Sequence, residues 1–122
     1  MKLRINGNSV RYRLSQSEVQ KFSEDGYLEE KLNFISAQFI YVLEAKKGIT
    51  NIEVDYASNK LTMYFPFDEK QIWRDTDRVG YSNKIQITEA NIMSILLEKD
   101  FVCLDEVEED QSDNFPNPKL KC

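Results

Sequence analysis

Apolar and polar residues alternate from the second position of the chain onward. Leu3 and Ile5 alternate with Lys2 and Arg4, and Asn6-Gly7-Asn8 supplies residues tolerant of positive φ. Val10, Tyr12 and Leu14 then alternate with Arg11 and Arg13. A period of two on both sides of such a turn predicts a β-hairpin with one apolar and one basic face. Ser15-Gln16-Ser17-Glu18 is a capping-box pattern, Val19 and Phe22 lie three apart, and Gly26 supplies a stop. Together they predict a short helix over about 16–25.

Residues 27–46 carry two patterns at once. Leu28, Leu32, Ile35, Phe39 and Val42 keep helical spacing, whereas Phe39, Tyr41 and Leu43 alternate with Ile40 and Val42. Aromatic and β-branched residues favour strands, so we read strands near 29–35 and 38–46. The next hairpin is cleaner. Ile52, Val54 and Tyr56 precede a turn at Ser58-Asn59, and Leu61, Met63 and Phe65 follow it. Folding there sets Tyr56 opposite Leu61, Val54 opposite Met63 and Ile52 opposite Phe65. Glu53, Asp55, Thr62 and Tyr64 share the other face. From Asp68 to Asn83 the pattern is polar and irregular, anchored by Ile72, Trp73 and Val79, and Lys84 to Thr88 reads as a strand. Asn91 to Leu104 admits a helix capped at Thr88. Ile95-Leu96-Leu97 and Phe101-Val102-Cys103-Leu104 suit buried strands better. No internal repeat is legible.

These elements predict an α+β fold: a single mostly antiparallel β-sheet, or a small open barrel, with one or two short helices. One globular domain is expected over 1–104, followed by an acidic, proline-containing tail over 105–122. A chain of 122 residues fits one domain with its own core.

Charge adds a polarity. Lys2, Arg4, Arg11, Arg13 and Lys21 face only Glu18 in the first 21 residues, whereas Asp105, Glu106, Glu108, Glu109, Asp110 and Asp113 crowd one short run. Such runs form solvated tails. This one is expected to fold over the basic hairpin face of Arg4, Arg11 and Arg13, or to reach a second copy, with Phe115, Pro116 and Pro118 as its anchor.

The chain contains no histidine. That removes Ser-His-Asp and Cys-His nucleophiles, H-E-x-x-H zinc chemistry and histidine-ligated haem. Cys103 and Cys122 form no C-x-x-C pair, so no zinc framework arises, and Cys103 reads as a small buried hydrophobe. Asp75-Thr76-Asp77-Arg78-Val79-Gly80 opens like a calcium loop, but Val79 and Gln86 stand where later oxygen ligands belong, which leaves a polar turn. No cofactor or metal is implied. The longest apolar run is Phe39 to Leu43 and the first residues lack a signal-peptide core, so the expectation is a cytoplasmic protein without membrane contact. A net charge of −5 without a Gly-rich phosphate loop argues against nucleic acid.

Arg4, Arg11, Arg13 and Lys99 are the candidate ligand-binding residues, as cations able to hold an anion. Arg11, Arg13, Lys31, Glu44, Lys46, Glu53, Asp55, Glu98, Lys99 and Asp100 put charges on many strands, and in a small closed barrel some of them would point inward and line a tunnel, an architecture that resembles polyphosphate-processing tunnel enzymes. The N-terminal E-x-E-x-K signature of those enzymes is absent, with Lys2-Leu3-Arg4-Ile5-Asn6 in its place. Arg4-Ile5-Asn6-Gly7-Asn8-Ser9-Val10-Arg11-Tyr12-Arg13-Leu14, Glu98-Lys99-Asp100-Phe101-Val102-Cys103-Leu104 and Phe115-Pro116-Asn117-Pro118 resemble a family of small bacterial proteins of unknown function. The resemblance implies a single bacterial cytoplasmic domain and brings no activity with it. The functional expectation is a non-catalytic binding or interaction module, with a protein partner or a second copy as partner class. The alternative is an enzyme or sensor for a phosphate ligand, using the basic sheet residues and a carboxylate-held metal.

Overall fold

The computed structural model describes residues 1–101 and 112–116. Hairpin β1 (Lys2–Asn6) and β2 (Ser9–Leu14) leads into helix α1 (Gln16–Asp25) and hairpin β3 (Tyr27–Asn33) and β4 (Gln38–Lys46). Hairpin β5 (Glu53–Ala57) and β6 (Lys60–Pro66) follows. A 3-10 turn at Phe67–Glu69 and helix α2 (Lys70–Asp75) then precede hairpin β7 (Gly80–Thr88) and β8 (Asn91–Lys99).

The α+β class holds. The strands divide between two four-stranded sheets, however, rather than forming one: β1-β2-β8-β7 and β3-β4-β6-β5. Each sheet is two antiparallel hairpins joined along a parallel central pair, β2–β8 in one and β4–β6 in the other. Eight strands in one sheet would leave a broad apolar face open to water. Two sheets sharing a core bury the apolar face of each. Nor do the sheets close around a tunnel: Tyr12, Leu43, Met63, Phe65, Ile95 and Leu97 fill the space between them with no exposed area. The pleat sends Arg11, Arg13 and Glu98 outward, away from that core.

Helix α1 forms where the capping pattern sets it. Glu18 Oε1 accepts the Ser15 amide at 2.9 Å, Val19 and Phe22 are buried, and Gly26 (φ 70°) ends the helix by donating to Phe22 O at 2.8 Å. The segment read as irregular from Asp68 contains α2, whose single short turn is too brief to show a period. Its position is fixed by Trp73, fully buried against Phe65 (ring centroids 5.6 Å) and Tyr81 (5.9 Å), while Ile72 and Val79 are exposed rather than anchors. Strand β7 also begins earlier than expected, at Gly80. In the β5–β6 hairpin Val54 pairs with Met63 and Tyr56 with Leu61 across a turn whose Ser58 and Asn59 both take positive φ. Tyr56 is exposed because β5 is an edge strand. The ambiguous stretches resolve as strands over 27–33, 38–46 and 91–99, the first of them ending at Asn33 rather than 35. Cys103, Cys122, Pro118 and acidic residues 105–110 lie outside the described residues, as does the strand expected over 101–104 apart from Phe101. Among the described residues no helix is long and apolar enough to cross a membrane.

A repeat invisible in the sequence emerges from the topology. The order strand–strand–helix–strand–strand occurs twice, from β1 to β4 and from β5 to β8. Even single hydrogen bonds recur: Ser94 N donates to Asn8 O (3.1 Å) as Ile40 N does to Asn59 O (3.0 Å). Lys99 N likewise donates to Val79 O (2.9 Å) as Ala45 N does to Gly26 O (2.9 Å). Phe22 in α1 and Trp73 in α2 both pack on Phe65 in the core.

Candidate functional site

The two halves differ most where helix meets strand. Gly26 alone joins α1 to β3, whereas Thr76–Val79 join α2 to β7. At the facing strand position the first half has Ala45 and the second has Lys99. The longer connection leaves room, and the lysine projects into it. A pocket of about 540 Å³ lies there, lined by Arg74, Asp75, Thr76, Asp77, Val79, Lys99, Phe101, Phe115 and Pro116.

Lys99 is 5% exposed, and its Nζ donates to the Thr76 carbonyl at 2.7 Å. The ammonium sits 5.1 Å from the centroid of the Phe115 ring, which in turn packs on Phe101 with centroids 5.8 Å apart. Desolvation lowers the Lys99 pKa from its ordinary value, and the charge of Asp77 partly opposes that shift. Arg74 is spent locally, with Nε and Nη2 donating to the two oxygens of Asp75 at 2.7 and 2.9 Å. That pairing holds the Asp75 carboxyl below the ordinary aspartate range. The acidic loop that opens like a calcium site is thus committed to an arginine at its first position. Among the described residues no three His, Cys, Asp or Glu side chains come together to hold a metal ion.

One wall of the pocket comes from far along the chain. Phe115 N donates to Asp100 O at 2.8 Å and Gln16 N donates to Asp113 O at 2.9 Å. Ser17 Oγ donates to Asp113 Oδ2 at 2.6 Å, and Gln16 Nε2 to Asn114 O at 2.9 Å. Residues 113–115 are therefore fastened between the start of α1 and the end of β8. The expected anchoring residue Phe115 docks here. Asp113 lies at α1, and the remaining acids expected to cover the arginines are outside the described residues.

The four candidate residues do not converge. Arg4 and Arg11 are register partners on the outer face of the first sheet, with Arg13 further along β2. Arg11 Nε lies 3.0 Å and Arg13 Nε 3.9 Å from Glu98 Oε1. Lys99, one residue beyond Glu98, points to the opposite face of β8 and so away from all three. Sequence reasoning missed Arg74, Thr76, Asp77 and Phe101 as pocket residues. The Thr76 contribution is a backbone carbonyl, for which no residue-type signal exists.

A half-enclosed apolar pocket with one desolvated ammonium suits a ligand that pairs an anionic group with an apolar body. Residues 1–119 match the model of a family of unknown function (DUF7009). No curated protein matches the chain, and no solved structure does.

Proposed function

The chain belongs to this family of unknown function, and we propose that it acts as a non-catalytic binding module for a small carboxylate with an aromatic or aliphatic body, held in the Lys99 pocket. One observation carries the reading: Lys99 Nζ is withdrawn from water at the edge of an apolar cavity, yet among the described residues only Thr76 O accepts a hydrogen bond from it, which uses one of its three donors. A buried ammonium with unused donors gains most from an anion that arrives already desolvated. Phe101, Phe115 and Pro116 would cover the apolar body. The absence of histidine leaves no nucleophile–base pair of the usual kind beside the pocket.

Ligand-observed NMR against phenylacetate, benzoate and octanoate tests the proposal. Saturation transfer is expected for at least one of them. It should weaken about tenfold or more in Lys99→Met, which keeps the stem and removes the charge. The ligand should be recovered unchanged after long incubation. Equal binding by Lys99→Met and the parent protein would sink the assignment of the pocket, and turnover of the ligand would sink the non-catalytic part.

A further inference from the structure

A second place on the molecule gathers unspent donors, on the outer face of the first sheet and on the far side of β8 from Lys99. Arg4 on β1 stands directly opposite Arg11 on β2, and Asn6 stands directly opposite Ser9 at the hairpin end. Their four side chains line a cleft of about 120 Å³. Like charges opposed on neighbouring strands destabilise a sheet unless something lies between them. Glu98 neutralises part of the face through Arg11 and Arg13. Among the described residues the side chains of Arg4, Asn6 and Ser9 have no hydrogen-bond or ion-pair partner. Four groups able to donate thus converge on one small space, and among the described residues no carboxylate lines it.

We infer that this cleft binds the phosphoryl group of a small phosphomonoester. The match is in charge and in shape. Among the described residues Arg4, Arg11 and Arg13 against Glu98 leave two positive charges uncompensated, and a phosphomonoester carries about −1.5 to −2 near pH 7. A carboxylate has two oxygens and would be satisfied by the Arg4 fork alone. A phosphoryl group has three terminal oxygens, enough to meet the Arg4 fork, the free guanidinium edge of Arg11, and the Ser9 hydroxyl or Asn6 amide together. The tight turn at Gly7 (φ 57°) holds Asn6 and Ser9 as neighbours before any ligand arrives, which limits the ordering cost of binding.

The test is an NMR titration of the ¹⁵N-labelled full chain with phenyl phosphate, inorganic phosphate and benzoate, at about 150 mM salt so that diffuse attraction is screened. Phenyl phosphate is expected to give saturable shifts at the Asn6–Ser9 amides and the Arg4 Nε–H. Benzoate should bind at this cleft at least about tenfold more weakly. Arg4→Gln should weaken phenyl phosphate about tenfold or more. Lys84→Gln removes the same charge from the opposite edge of the same sheet face and should change it less than about twofold. Saturation by inorganic phosphate at the same amides supports the site and identifies the bare ion as sufficient. Saturation by the ester alone also supports it and shows that the ester body contributes. Equal losses in Arg4→Gln and Lys84→Gln overturn the proposal, because the attraction is then general charge. Unsaturable or scattered shifts with both phosphates overturn it as well.

Discussion

Trp73→Phe is expected to cost far less than the size of the residue implies. Trp73 has no exposed area, and its Nε1 finds no hydrogen-bond partner among the described residues. Removing two ring carbons forfeits about 1.5 kcal/mol of transfer free energy at about 0.8 kcal/mol per carbon group. A void of about 40 Å³ beside Phe65 and Tyr81 adds about 1 kcal/mol. Against these stands the loss of a buried, unsatisfied N–H, whose desolvation costs the native state about 1–3 kcal/mol. The net change therefore falls between about 0.5 kcal/mol of stabilisation and about 1.5 kcal/mol of destabilisation. Trp73→Ala should lose about 3–5 kcal/mol. Urea denaturation followed by far-UV circular dichroism measures both, since Trp73 is the sole tryptophan and its fluorescence vanishes with it. A loss of about 3 kcal/mol or more in Trp73→Phe would refute the reasoning, because the N–H would then have to be satisfied.

Three further outcomes follow from the packing and the strap. Met63→Ala, on an interior strand with no exposed area, should cost about 2–4 kcal/mol, Val54→Ala on the neighbouring edge strand less, and Glu53→Ala under about 0.5 kcal/mol; equal losses at Val54 and Glu53 in denaturant titrations would break the register. Gly80→Ala would place a Cβ 2.0 Å from Leu97 O, so thermal unfolding should show a loss of about 1–3 kcal/mol as β7 shifts from β8. The hydroxyls of Ser15 and Ser17 hold the Asp113 carboxyl below its usual range, so docking of the strap is fully supported above the ordinary aspartate value of about 3.9 and fades as pH falls through the lowered one. The Phe115 ring resonances should follow that acid transition, and in Asp113→Asn they should not.

Period-two alternation made β1, β2, β5 and β6 readable: Val10, Tyr12, Leu14, Leu61, Met63 and Phe65 meet the core, while Ile5 and Tyr56 keep the alternation on edge strands although they are exposed. Ser15 and Glu18 announced α1 through a local contact three residues apart. The division into two sheets was not readable, since the pairings that decide it, Val10 with Ile95 and Leu43 with Met63, join segments with no local sign of each other. The single turn of α2 carries too few residues for a helical period. Lys99 was visible as a charge in an apolar run. Its separation from Arg11 and Arg13 depends on the register of β8 against β2, which places Glu98 rather than Lys99 on their face. The pocket itself unites residues 74–79, 99–101 and 115–116, so only the folded chain assembles it.

The nesting of the hairpins dictates an order of assembly. Hairpins two and three are adjacent in sequence, so the sheet they build closes a short loop, with Ile40 already beside Lys60. The other sheet joins the first hairpin to the fourth, and Ser9 must wait for Ser94. Loop-closure entropy makes the second event the slower one, unless the first sheet is already in place to shorten the effective path. During synthesis the apolar face of β1 and β2 is thus without its strand partner until about ninety residues have emerged, seconds at ordinary elongation rates. The arginines on the opposite face of that hairpin would keep such an intermediate charged and dispersed while it waits.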